Sequence, residues 1–145
     1  MAKFLIADDH PLFREALVGA LEPLFESSEM IQSDSLDSTL DALLEHSDID
    51  LVLLDLQMPG CENFYGVIRV SEDYPTIPIA VVSANDSIEV ISHVMGFGAK
   101  GFIPKCTSAQ DMASALVSIM QGNRWLPEGM EDKIGAIDDE QMSIA

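Results

Sequence analysis

The chain predicts a doubly wound α/β domain, a five-stranded parallel sheet covered on both faces by five helices. Short apolar runs of strand length alternate with stretches whose apolar residues recur at helical spacing. Three of the runs, residues 3–8, 50–55 and 78–83, are almost wholly apolar, as strands covered on both faces should be. Two further strands are expected at 29–34 and 101–104.

Each element has a local reason. Pro11 suits the first turn of a helix, where its missing N–H costs nothing. Phe13, Ala16, Leu17, Ala20, Leu21 and Leu24 then form one core stripe, and Leu36, Leu40, Leu43 and Leu44 the next. Asp86 and Glu89 are spaced as a capping box for the fourth helix, as Ser108 and Asp111 are for the fifth. The fifth helix carries the stripe Met112, Ala115, Leu116, Ile119 and Met120. Pro104 cannot donate to a neighbouring strand and suits the end of an edge strand. After Trp125 the pattern fails. Residues 126–145 carry Pro127, Gly129, Gly135 and six acids against one base, which reads as an acidic tail or interdomain linker after a domain at 1–125.

At 145 residues with 48% hydrophobic content the chain can bury one sizeable core. No stretch approaches the ~20 apolar residues needed to cross a bilayer. The opening Met1-Ala2-Lys3-Phe4 runs into a strand without a signal-peptide pattern, so a cytoplasmic protein is expected. Cys61 and Cys106 lack the spacing of a metal or redox motif and read as free thiols. The formal net charge is −18, with no lysine or arginine between Arg14 and Arg69. Such a field repels a phosphate backbone, which argues against nucleic-acid binding by this chain alone. Most of the acids read as a solubilising surface; only Asp8, Asp9 and Asp55 earn a functional reading.

Those three belong to a set. Asp8-Asp9 follows the first apolar run, Asp55 ends Leu51-Val52-Leu53-Leu54, Ser83 ends Ile79-Ala80-Val81-Val82, and Lys105 follows Gly101-Phe102-Ile103-Pro104. In an open parallel sheet the carboxyl ends of the strands gather along one edge, so these residues are expected in one crevice. The carboxylates supply hard oxygen ligands for magnesium and, unneutralised, repel one another. The lysine supplies a fixed positive charge, and the hydroxyl can donate to a phosphoryl oxygen. A carboxylate can also be a nucleophile toward phosphorus, and Asp55 is the candidate. The plainer reading of Asp55 is a strand-ending cap for the following loop; for Asp8 and Asp9 it is an N-cap pair for the helix at Pro11, with Asp9 able to do both jobs.

The stretches Ile6-Ala7-Asp8-Asp9-His10-Pro11, Asp55-Leu56-Gln57-Met58-Pro59-Gly60, Val82-Ser83-Ala84 and Gly98-Ala99-Lys100-Gly101-Phe102-Ile103-Pro104-Lys105, in that order, resemble the receiver domain of a two-component response regulator. The likeness covers roughly positions 3 to 122. Asp-Asp-His-Pro with Gly-Ala-Lys-Gly-Phe is similar to receivers that precede a LuxR-type helix-turn-helix. The resemblance implies a flavodoxin-like sheet of order 2-1-3-4-5 and phosphorylation of Asp55 by a histidine kinase. Magnesium would be held directly by Asp9, Asp55 and the backbone carbonyl of Gln57, with Asp8 acting through water. It further implies that Lys105 pairs with Asp55 at rest and with the phosphoryl group afterwards, that Ser83 follows that group, and that the Phe102 ring swings between two rotamers. Output would be a changed surface around the fourth helix, fifth strand and fifth helix, near Ile88, Ile91 and Phe102, with a possible homodimer. The DNA-binding output domain has no room in this chain, which leaves either an excised receiver, the favoured reading, or a single-domain regulator.

Other readings are a phosphorylation-independent interaction module with the same fold, a Mg-dependent phosphohydrolase and a flavodoxin-like cofactor binder. The hydrolase lacks its usual Asp-x-Asp arrangement after the first strand, and the cofactor binder lacks phosphate-cradling loops. Two positions depart from the family pattern. Cys106 follows Lys105 where many receivers carry a proline after a cis bond, leaving that peptide unassigned. Asn63 falls where glycine is common, and asparagine tolerates a left-handed backbone better than most residues. Gln57 and Asn85 occupy positions that tune phosphate lifetime in the family.

Overall fold

A computed structural model describes residues 2–127. The strands are β1 (Lys3–Ala7), β2 (Glu29–Ser33), β3 (Leu51–Asp55), β4 (Ile79–Ser83) and β5 (Gly101–Pro104). They form one parallel sheet in the order β2-β1-β3-β4-β5, as expected. The helices are α1 (Pro11–Leu21), α2 (Leu36–Glu45), α3 (Tyr65–Asp73), α4 (Ile88–Gly96) and α5 (Ala109–Met120). None of the described helices is long and apolar enough to cross a membrane.

Alternation along the strands builds two cores. Leu5, Val52, Leu54, Val81 and Phe102 face α2, α3 and α4, while Phe4, Ile6, Leu51, Leu53, Val82 and Ile103 face α1 and α5. Each fully buried Leu, Ile or Phe side chain contributes roughly 1.5–3 kcal/mol, so this double-sided burial fixes the sheet rigidly beneath its carboxyl edge.

Several expectations need correction. Leu44 is 80% exposed and Leu24 47% exposed, so neither belongs to a core stripe. Ala16 is exposed as well. Both short helices bury a narrower arc than their apolar residues span. The fourth helix is capped by Ser87, whose hydroxyl accepts from Val90 N, rather than by Asp86. Ser108 does cap α5, accepting from Asp111 N. Ile91 and Phe102, expected near an output surface, are fully buried between α4 and the sheet.

Pro11 occupies the first turn of α1, and its N-cap is His10 with no side-chain cap, so neither Asp8 nor Asp9 caps this helix. Pro104 ends β5 at the sheet's edge. Asn63 takes the left-handed conformation at φ 54°, and Phe64 follows it at φ 65°. The Lys105–Cys106 peptide is trans. The expected tail from 128 onward lies outside the described residues.

Candidate functional site

Strand register assembles the site. Ala7 lies beside Leu54, Asp55 beside Val82 and Ser83 beside Pro104, so all four chain segments leave the sheet at the same level. Asp8 is held one residue past β1 by its N–H, which donates to Ser33 O at 3.0 Å. Asp55 ends the central strand with only 2% of its surface exposed, and Asp8 is equally buried. Lys105 reaches back from the end of β5, its own N–H donating to Ser83 O at 3.0 Å.

Lys105 Nζ lies 3.0 Å from Asp8 Oδ2 and 3.4 Å from Asp55 Oδ2. Its ammonium also sits 4.6 Å from the centroid of the Phe13 ring, a cation–π contact that steadies the long side chain. The other oxygen of Asp55, Oδ1, accepts from Gln57 N at 3.1 Å. Burial pushes the Asp55 carboxyl above the usual carboxylate range, and the Asp8 charge adds to this; the Gln57 N–H and Lys105 pull in the opposite direction.

His10, to which the motif reading gave no role, belongs to the cluster. Its N–H donates to Asp8 Oδ1 at 2.8 Å, and its Nδ1 lies 3.1 Å from Asp8 Oδ1, 3.2 Å from Asp9 Oδ1 and 3.8 Å from Asp55 Oδ2. The signal was its place between the acid pair and Pro11, where a turn folds the ring back over the acids. A cavity of about 440 Å³ opens here, lined by His10, Leu12, Phe13, Asp55, Gln57, Ala84 and Lys105.

The donor set suits a hard cation. Asp8, Asp9, Asp55 and His10 offer ligand atoms that all lie within 4.8 Å of one another. Asp8 Oδ2 and Asp9 Oδ1 are buried and accept no hydrogen bond, although a lysine lies beside the first and an imidazole beside the second. Buried carboxylate oxygens without hydrogen bonds are costly, and a shared divalent ion removes that cost.

Two expected members stand apart. Ser83 is fully buried and its hydroxyl accepts from Asn85 N at 3.1 Å, facing the loop before α4. It lines a neighbouring cavity of about 220 Å³ with Gln57, Phe64 and Asn85 among its walls. Phe102 points into the core. Cys61 lies beneath this region, and burial pushes its thiol up to about 11, which makes it a packing residue.

A fold of order 2-1-3-4-5 with three acids, a lysine and a buried hydroxyl at one sheet edge defines a signalling receiver. The chain belongs to the response regulator receiver domain family, whose model matches residues 4–117 and so takes in the whole site. Receivers bind magnesium as a class, and the acidic cluster has the donors for it. The chain is 43% identical over 127 residues to the glycerol metabolism activator of Pseudomonas putida, covering 88% of this chain and 58% of that protein. A LuxR family DNA-binding response regulator from Silicibacter pomeroyi superposes with a TM-score of 0.76 at 30% identity, covering 88% of this chain and 98% of that one. The signal receiver domain of NarL from Mycobacterium tuberculosis does so with a TM-score of 0.75 at 28% identity, covering 84% and 98%. The chain spans 52–58% of the length of the curated relatives it matches.

Proposed function

We propose that Asp55 accepts a phosphoryl group from a histidine kinase, with magnesium, and that the modified domain changes a protein–protein surface. The observation that supports this best is the setting of Asp55. It is a 2%-exposed carboxylate at the end of the central strand, open to a cavity, with other acids on one side and Lys105 Nζ 3.4 Å away.

In the transfer, an Asp55 oxygen forms its bond to phosphorus as the P–N bond of the donor phosphohistidine breaks, the electron pair returning to the imidazole nitrogen. The product is an aspartyl phosphate that water later hydrolyses. Magnesium, when bound, neutralises charge on the phosphoryl oxygens. Asp9, Asp55 and the backbone carbonyl of Gln57 would hold it directly and Asp8 through water, leaving positions for substrate oxygens. Lys105 supplies the second positive charge. Modification adds about −1.5 to −2 charges and three acceptor oxygens, which draw Lys105 and the Ser83 hydroxyl inward and shift the loop before α4; Phe102 repacks behind it.

Its likeness to a LuxR family DNA-binding regulator supports a role as the input half of a cytoplasmic transcription regulator, with self-association on phosphorylation as one output. The net charge of −18 argues against DNA contact by this chain itself. Intact-mass analysis after incubation with a small phosphodonor tests the reading. One phosphoryl group should be added with magnesium and almost none without it. Equal labelling without any divalent cation contradicts the metal's role.

A further inference from the structure

We propose that residues 123–127 form a strap on the edge of the sheet, and that its grip on β5 reports whether Asp55 carries a phosphoryl group; this rests on the phosphoacceptor reading above. After α5 the chain reverses at Gly122, where φ is +96°, and Trp125 then runs parallel to β5. Trp125 N donates to Lys100 O at 3.0 Å, and Phe102 N donates to Trp125 O at 3.1 Å, so the two bonds bracket Gly101. The position suits glycine: a Cβ at 101 would lie 3.2 Å from Trp125 O and 2.5 Å from Ile119 Cδ1.

The strap behaves as a sixth strand. Trp125 packs on the core beneath α1 and α5, whereas the next residue, Leu126, packs on the core beneath α2, α3 and α4. Successive side chains therefore grip opposite faces of the sheet. Among the described residues the hold is slight: one bridge, whose two hydrogen bonds contribute about 1 kcal/mol each, and two side chains that are only half-buried. Segments secured this weakly open at low free energy, which suits a reporter.

The coupling runs along β5. Lys105, whose Nζ stands between Asp8 and Asp55, is the residue immediately after Pro104, the last residue of that strand, and its backbone is tied to Ser83 O. A phosphoryl group on Asp55 draws Nζ off Asp8 and the Ser83 loop inward. Both changes pull on the end of β5, two residues beyond the Phe102 N–H that holds Trp125. The strap therefore loosens when Asp55 is modified, and by reciprocity a loosened strap favours modification.

Trp125 is the only tryptophan in the chain, so its emission reads the strap directly. The experiment adds beryllium fluoride, a phosphoryl mimic, with magnesium to the full chain and follows melting temperature, tryptophan emission, acrylamide quenching and amide exchange at Phe102 and Trp125. The expected result is a raised melting temperature together with a red-shifted, more quenchable indole and faster exchange at both amides. Leu126→Ala should bind the mimic at least about fivefold more tightly, with every residue of the acidic site intact. A raised melting temperature with unchanged emission, quenching and exchange overturns the strap and leaves the phosphoacceptor reading standing. No rise at all overturns both.

Discussion

Lys105 Nζ stands closer to Asp8 Oδ2, at 3.0 Å, than to Asp55 Oδ2, at 3.4 Å. The Lys105 ammonium is therefore shared between two acids, and its nearer partner is the one that the proposal does not phosphorylate. On the proposed reading, a phosphoryl group on Asp55 would offer the lysine stronger acceptors and free Asp8, linking the chemistry to a movement at the end of β5.

Removing that cation exposes the cost of the cluster. Lys105→Ala should destabilise the metal-free protein by about 1–3 kcal/mol, less than the ~3–5 of a fully buried pair because the lysine side chain keeps 17% exposure. Chemical denaturation with and without magnesium checks it. The deficit should shrink with the ion present, and a variant as stable as the parent contradicts the shared-cation account.

Removing an acid should do the opposite. Asp8→Asn relieves repulsion among three carboxylates that one lysine does not neutralise, so the metal-free melting temperature should rise while magnesium binding weakens. Melts across a magnesium titration test both halves. A lowered metal-free melting temperature counts against the cluster.

The raised pKa of Asp55 carries a sign. Between the unfolded carboxylate value and the higher native one, the folded state binds more protons than the unfolded state, so stability from this group falls as pH rises through that window. Asp55→Asn should match the parent at the acid end and exceed it above the window, in metal-free buffer. Parallel stability curves for the two proteins would remove burial as the cause.

Ser83→Ala separates chemistry from response. Asp55 should still be phosphorylated, because the metal and Lys105 stabilise the phosphoryl charge, yet amide exchange across residues 84–106 should no longer change on modification. The variant also leaves the Asn85 N–H without its acceptor, at a cost of about 1–3 kcal/mol if no water replaces it. A parent-like exchange response would remove Ser83 from the coupling.

Much of this was legible in the chain because a strand covered on both faces must be an almost unbroken apolar run. The polar residue that ends each run then marks the sheet's carboxyl edge. That logic located Asp8, Asp55, Ser83 and Lys105 without contacts. It could not place His10, whose ring joins the cluster through a turn set by Pro11, or foresee that Lys105 leans toward Asp8. Leu44 and Leu24 fit a helical period but sit beyond the arc the sheet covers. Ser87 displaced Asp86 as the α4 cap because adjacent polar residues compete for one geometry. Phe64 in a left-handed conformation carries no sequence mark. The grip of Trp125 on Gly101 is a tertiary contact that periodicity does not encode.

The central claim is that Asp55 is the phosphoacceptor, and mapping the modified residue tests it most directly. After reaction with a phosphodonor and magnesium, borohydride reduction converts an aspartyl phosphate to homoserine, which peptide mass analysis locates. The account predicts homoserine at position 55 alone and none in Asp55→Asn. Homoserine at position 8 or 9 in the parent, or undiminished labelling of Asp55→Asn, would contradict it.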